Sequence, residues 1–178
     1  MVMSEISLNL DLDDQRWETE LPNAEILCNN VLQVASSFLK ENSKNKIIGL
    51  RVPLSVNLML SNDELVQKLN REFRGKDKPT NVLSFANIDD PDFSFNTEFY
   101  DDLELGDIII ALETLKKEAK LKKISLQDHF SHLWLHGVLH ILGYYHIIDK
   151  DADEMENLEI EILSRMNITN PYADIDDV

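Results

Sequence analysis

The sequence predicts an α+β fold: a single domain with a small mixed β-sheet packed against several helices. Three observations predict it. Apolar and polar residues alternate at strand period near the start of the chain, later stretches repeat at helical spacing, and the two kinds of segment interleave. The chain has 178 residues, of which 43% are hydrophobic and 28% charged, enough for one core.

Ile6, Leu8 and Leu10 alternate with polar residues and predict a first strand. Pro22 opens a helical pattern through Ile26, Leu27, Val31, Leu32, Val34, Ala35, Phe38 and Leu39, followed by a loop around Asn42 to Asn45. Val52 to Leu60 reads as a second strand. Ser61 with Glu64 has the spacing of a capping box and predicts a helix through Leu65, Leu69 and Phe73. Gly75 to Pro79 is a charged turn, and Asn81 to Phe85 a short strand. Asn87 to Gly106 reads as a long acidic loop or hairpin with aromatics, leading into the apolar strand Asp107 to Ala111. Leu112 to Leu121 is helical in pattern. Ser125 with Asp128 caps the next helix, which runs through Phe130, Leu133, Trp134, Val138 and Ile141 and which Gly143 ends. A last helix is expected from about Asp151 to Met166, with Met155, Leu158, Ile162 and Leu163 inward. Residues 1–166 thus form the domain, and 167–178 an acidic C-terminal tail, expected to fray.

The formal net charge is −16. That balance argues against a protein that coats nucleic acid or anionic membrane with its whole surface, while leaving room for a local basic groove. The charge is segregated. Asp89 to Asp107 contains no Lys or Arg, whereas Lys68, Arg71, Arg74, Lys76 and Lys78 form one basic group and Lys116 to Lys123 another. The lone cysteine, Cys28, excludes a disulfide within the chain and sits in an apolar-periodic stretch, as a buried thiol does. No run has the length of a membrane span, and the first residues do not resemble a secretory signal. A cytoplasmic location without membrane attachment is the expectation.

The chemistry concentrates in His136-Gly137-Val138-Leu139-His140-Ile141-Leu142-Gly143-Tyr144-Tyr145-His146. His136 and His140 are one helical turn apart and share a face. Gly143 lets the chain double back, so that His146 becomes a third ligand of the same ion. Three neutral imidazoles suit one zinc ion per chain and leave a position for water, whose pKa zinc lowers to roughly 7. Nickel, cobalt or copper also suit such a set. The spacing matches that of metalloproteases carrying Glu after the first histidine, but here Gly137 holds that place and supplies no base. Of the other histidines, His132 is expected beside the metal face or at the core edge, and His129 on the surface. Trp134, at helical spacing with Phe130 and Val138, is expected in the core.

This segment resembles the HGxLHLxGYDH signature of the YbeY endoribonucleases, bacterial rRNA maturation factors. Leu69 to Phe85 resembles that family's LNxxYRGKDKPTDVLSF segment, Leu105 to Ile110 its LGDIxI strand, and Met155 and Glu159 also fit its pattern. The resemblance spans about Leu50 to Met166. It implies a single-strand-specific, zinc-dependent endoribonuclease acting in maturation of the small-subunit (16S) rRNA 3′ end and in ribosome quality control. The zinc ligands it implies are His136, His140 and His146. The family's functional arginine falls on Arg74, as catalytic and substrate-binding residue, with Lys76 and Lys78 completing a local RNA-docking patch. Implied partners are single-stranded RNA, the small ribosomal subunit with its proteins, and a ribosome-assembly GTPase. The chain departs from the signature at Tyr145, where the family carries Asp. Two other classes remain: an assembly factor whose metal is structural, favoured by the missing base at Gly137 and Tyr145, and a metalloprotease.

Overall fold

The computed structural model describes residues 6–144 and 149–173. In chain order the elements are β1 (Ile6–Leu12), α1 (Arg16–Glu20), α2 (Ala24–Asn42), β2 (Leu54–Ser61), α3 (Asp63–Arg74), β3 (Val82–Ala86), β4 (Leu103–Ala111), α4 (Leu112–Lys122), α5 (Leu126–Ile141) and α6 (Asp149–Ser164). The four strands form one mixed sheet in the order β1-β2-β4-β3. β1, β2 and β4 run parallel, and β3 is antiparallel to β4 at one edge. This is the expected α+β domain with a small mixed sheet.

Most of the core lies on one face of the sheet. Leu54, Val56, Leu58 and Leu60 of β2 point there, every second residue as strand geometry requires. α2, α5 and α6 cover them with Val31, Leu39, Phe130, Trp134, Leu135, Val138, Met155, Ile162 and Leu163. Buried Trp134 donates Nε1–H to the Cys28 carbonyl at 3.1 Å, and Cys28 is fully buried, as its apolar periodicity predicts. α3 covers part of the other face, over the small cluster of Val66, Leu83, Ile109 and Ala111. Beyond α3 that face carries a hydrogen-bonded row: Asn9 donates to Asn57, and Asn57 to Asp107, at 3.0 and 2.9 Å.

β4 starts earlier than the sequence predicts, at Leu103, because a bulge hides its alternation. Ser55 pairs with Glu104 but Asn57 with Asp107, so one extra residue sits on β4. Leu103 and Leu105 face the core before it, Ile108 and Ile110 after it. Gly106 makes the bulge possible: its φ is 151°, and a Cβ there would lie 2.2 Å from the Phe85 carbonyl oxygen. Upstream, two short 3₁₀ turns, Asn87–Asp89 and Thr97–Phe99, fill the acidic segment, where Phe93 packs edge-on against Phe95.

Other differences are local. α1 is an extra short helix, anchored by fully buried Trp17, whose Nε1–H donates to the Ser61 carbonyl at 2.8 Å. The cap of α3 is Asn62, which accepts from Leu65 N–H at 3.0 Å. Ser61 instead ends β2 and donates its hydroxyl to Asp13 at 2.6 Å. α5 starts on Ser125, which accepts from Asp128 N–H as expected. After α6 the chain does not simply fray: Ile168 packs partly against the core, and Tyr172 reaches back to α5 and α6. Among the described residues, no helix is long and apolar enough to cross a membrane.

Candidate metal centre and basic cleft

α5 is buried along most of its length, yet His136 and His140 are only partly covered. They sit on one face a turn apart, as the spacing predicts. Their rings are 4.6 Å apart between centroids, and the two Nε2 atoms face each other at 3.1 Å. Two nitrogens on one tetrahedral zinc, each at about 2.0–2.1 Å, are separated by roughly 3.3 Å, so the pair is already spaced for a shared ion. His146 and Tyr145 lie outside the described residues. Gly143, at φ 98°, turns the chain just after α5.

Behind the pair stands Glu159 of α6. It is fully buried, and its carboxylate oxygens face His136 Nδ1 at 2.5 Å and His132 Nε2 at 3.4 Å. Burial alone would push its carboxyl up; hydrogen bonds from His132 and His136 outweigh burial and hold it at about 2. A cation held by His136 and His140 would add compensating charge beside this carboxylate. Among the described residues these two imidazoles are the candidate ligands, and their spacing is compatible with a shared ion.

The basic residues reach the same place from the other side of the sheet. Gly75 ends α3 in the left-handed conformation, φ 69°, and its N–H donates to the Arg71 carbonyl. Buried Asn70 then fixes the following turn by donating to the Lys78 carbonyl at 2.9 Å. Arg74 donates Nη2–H to the Ser84 carbonyl at 2.8 Å, and its guanidinium lies 5.4 Å from the centre of the Phe85 ring. It is thus pinned at the outer edge of β3 while still exposed. That edge is open: Ala111 N–H donates to the Asn81 carbonyl opposite it, so by alternation Val82, Ser84 and Ala86 turn their backbone groups away from β4.

A cleft of ≈ 950 Å³ runs along this edge and is lined by Arg74, Lys76, Lys78, Ser84, Asp89, His136 and His140, among others. The structure thus brings together every candidate site residue within the described part of the chain. Gly137 lies at the crossing of α5 and the sheet. A Cβ there would meet Ile108 Cδ1 and Cγ2 at 3.0 Å and Ser84 Oγ at 3.2 Å, so close packing, not only the missing side chain, bars a protease-like glutamate.

His132 is buried at the edge of the core beside Glu159, as expected. His129 is not on the surface: it is fully buried, with Nε2 2.7 Å from Glu118 of α4, which accepts as well from Asn81. Sequence reasoning assigned no role to Glu159. The available signal was its place in the inward stripe with Met155 and Ile162, where a carboxylate requires partners.

The family model described as "Endoribonuclease YbeY" matches residues 11–167. Proteins named endoribonuclease YbeY from Rhizobium etli and Paramagnetospirillum magneticum are 39% and 40% identical over 170 and 169 residues. The alignments cover 96% and 95% of this chain and 95% and 97% of those relatives. One from Francisella philomiragia is 41% identical over 175 residues, covering 97% of this chain and 98% of the relative. A solution structure of a Thermotoga maritima protein shares 22% identity at a TM-score of 0.49, covering 96% of this chain and 97% of that one. By the match to its model and the near full-length relatives, this chain belongs to the endoribonuclease YbeY family.

Proposed function

We propose that the protein is a zinc-dependent endoribonuclease that cleaves single-stranded RNA, serving 3′-end maturation of small-subunit rRNA and ribosome quality control. The observation that carries this reading is the single cleft that joins the paired imidazoles of His136 and His140 to Arg74, Lys76 and Lys78. His136, His140 and His146 would hold the ion, one per chain. When bound, zinc supplies Lewis-acid charge for phosphodiester chemistry.

The residues of the chain do the rest. A phosphodiester gathers negative charge on its oxygens as it reacts. Arg74 carries five N–H donors in a planar fork, and one bond to Ser84 leaves others for a phosphate. Its anchorage to β3 means little side-chain freedom remains to be lost on binding. Lys76 and Lys78 attract the strand to the cleft, while the net charge of −16 disfavours RNA elsewhere on the surface. Such a local patch gives modest affinity for naked RNA. The small ribosomal subunit, its proteins and an assembly GTPase then contribute to substrate choice, in the cytoplasm.

Gly137 favours one other reading, an assembly factor with a structural metal, because no side chain can act as base from that position. Cleavage of a single-stranded rRNA 3′-end precursor, with and without chelator, separates the two. The proposal expects cleavage that chelator and His136→Ala each abolish. Binding without cleavage would support the assembly role, and activity surviving His136→Ala would refute the site.

A further inference from the structure

We infer that Glu159 and Tyr172 are positioning residues: Glu159 fixes His136 as its Nδ1–H tautomer and His132 as the opposite one, and Tyr172 clamps Glu159 from the segment after α6. The structural half of this inference stands alone; its consequence for the metal rests on the function proposed above.

Glu159 occupies a core position of α6 between Met155 and Ile162. Three hydrogen-bonding groups converge on its two oxygens, His136 Nδ1, His132 Nε2 and the Tyr172 hydroxyl, and a carboxylate so surrounded accepts hydrogen bonds and donates none. The His136 nitrogen facing Oε1 at 2.5 Å must therefore carry the hydrogen, and that nitrogen is Nδ1. A neutral imidazole has one N–H, so Nε2 is left as the bare lone pair, and Nε2 is the atom turned toward His140. A hydrogen-bonded carboxylate behind a ligand histidine fixes ring and tautomer and raises ligand basicity.

The same carboxylate sets His132 the other way. There Nε2 is the facing nitrogen, 3.4 Å from Oε2 and 3.3 Å from the Tyr172 hydroxyl. His132 Nδ1 is buried without a hydrogen-bond partner among the described residues. A bare acceptor is the less costly group to leave there, which again assigns the hydrogen to Nε2. Two histidines one turn apart on α5 thus hold opposite tautomers around one acid.

Tyr172 completes the cluster. Its hydroxyl donates to Glu159 Oε2, and its ring stands edge-on to His132, 5.5 Å away at 85°. Asn170 positions it by accepting from Tyr172 N–H at 2.8 Å. The chain beyond α6 is thereby tied to the imidazole pair through Glu159.

The test is long-range proton–nitrogen NMR of the metal-free full chain, with zinc affinity measured by competition against a chromophoric chelator. The inference expects His136 as Nδ1–H and His132 as Nε2–H in the unaltered protein. Glu159→Gln should mix the His136 tautomers and weaken zinc binding by about 10–100-fold. Tyr172→Phe keeps the ring and removes only the hydroxyl, so it should weaken binding by a smaller factor with little change in thermal midpoint. His136 found as Nε2–H overturns the inference, as does unchanged zinc affinity in both variants. If the tautomers are as stated but the protein takes up no zinc, the inference stands and the proposed metal function falls. Should Glu159→Gln not fold, the wild-type tautomers and Tyr172→Phe still decide.

Discussion

Replacing Gly137 with alanine tests how tightly α5 must lie on the sheet for the cleft to work. The added methyl would sit 3.0 Å from both terminal branches of Ile108 and 3.2 Å from Ser84 Oγ. Carbon–carbon contacts are comfortable at about 3.5–4.0 Å, so two contacts at once are short by about half an ångström or more. Ile108 is fully buried and β-branched, with few rotamers to retreat into. Overpacking of this kind costs about 1–3 kcal/mol, and the better helix propensity of alanine returns about 1. The net expectation is a loss of about 0–2 kcal/mol, read by urea denaturation. The clash is relieved most simply if α5 lifts off β4 and β3, and His136 is the adjoining residue. Its position relative to Arg74 then shifts, and small misplacements in a reacting site cost up to about 10²-fold in rate. Single-turnover cleavage of labelled single-stranded RNA should fall at least tenfold, out of proportion to stability. A variant more stable than wild type by about 1 kcal/mol, cleaving at an unchanged rate, would refute the reasoning.

Arg74→Ala should lower cleavage by about 10²–10³ while leaving metal content unchanged, because the guanidinium acts on charge that develops in the reaction. A parallel fall in bound metal would make the arginine structural. Lys76→Ala with Lys78→Ala should weaken RNA binding and reduce the slope of log affinity against log salt by about 1.4, at about 0.7 per phosphate contact. An unaltered slope would place the RNA elsewhere. Glu118 is pushed up by burial but held below its ordinary value of 4.5 by hydrogen bonds from His129 and Asn81. A carboxyl depressed in the folded state stabilises the protein above its unfolded pKa and loses that contribution as pH falls through the folded one. Stability of the wild type should therefore drop below about pH 4.5, and Glu118→Gln should show less of that drop. Identical acid profiles would contradict this role.

The sheet and its main helices were legible because their signals are local. Alternation in β2, the turn glycine after α3 and the Ser125 cap each report backbone geometry within a few residues. What failed depends on partners distant in sequence. The start of β4 was hidden because the bulge at Gly106 breaks the alternation, and only its neighbour β2 shows the extra residue. His129 was misplaced because Glu118, which accepts its N–H in the interior, belongs to another helix. In the site, the histidine spacing was readable within one turn of α5. That Arg74 arrives beside it required the open edge of β3, which no spacing between residues 74 and 136 encodes. The resemblance of two separate motifs to one family supplied what spacing could not, and the cleft accounts for that pairing physically.

The most direct test is metal content of the untagged protein by elemental analysis, compared with that of His136→Ala combined with His140→Ala. The wild type should carry one zinc-like ion per chain and the variant essentially none. A wild type without metal, or a variant that retains it, would contradict the claim that this pair holds the ion.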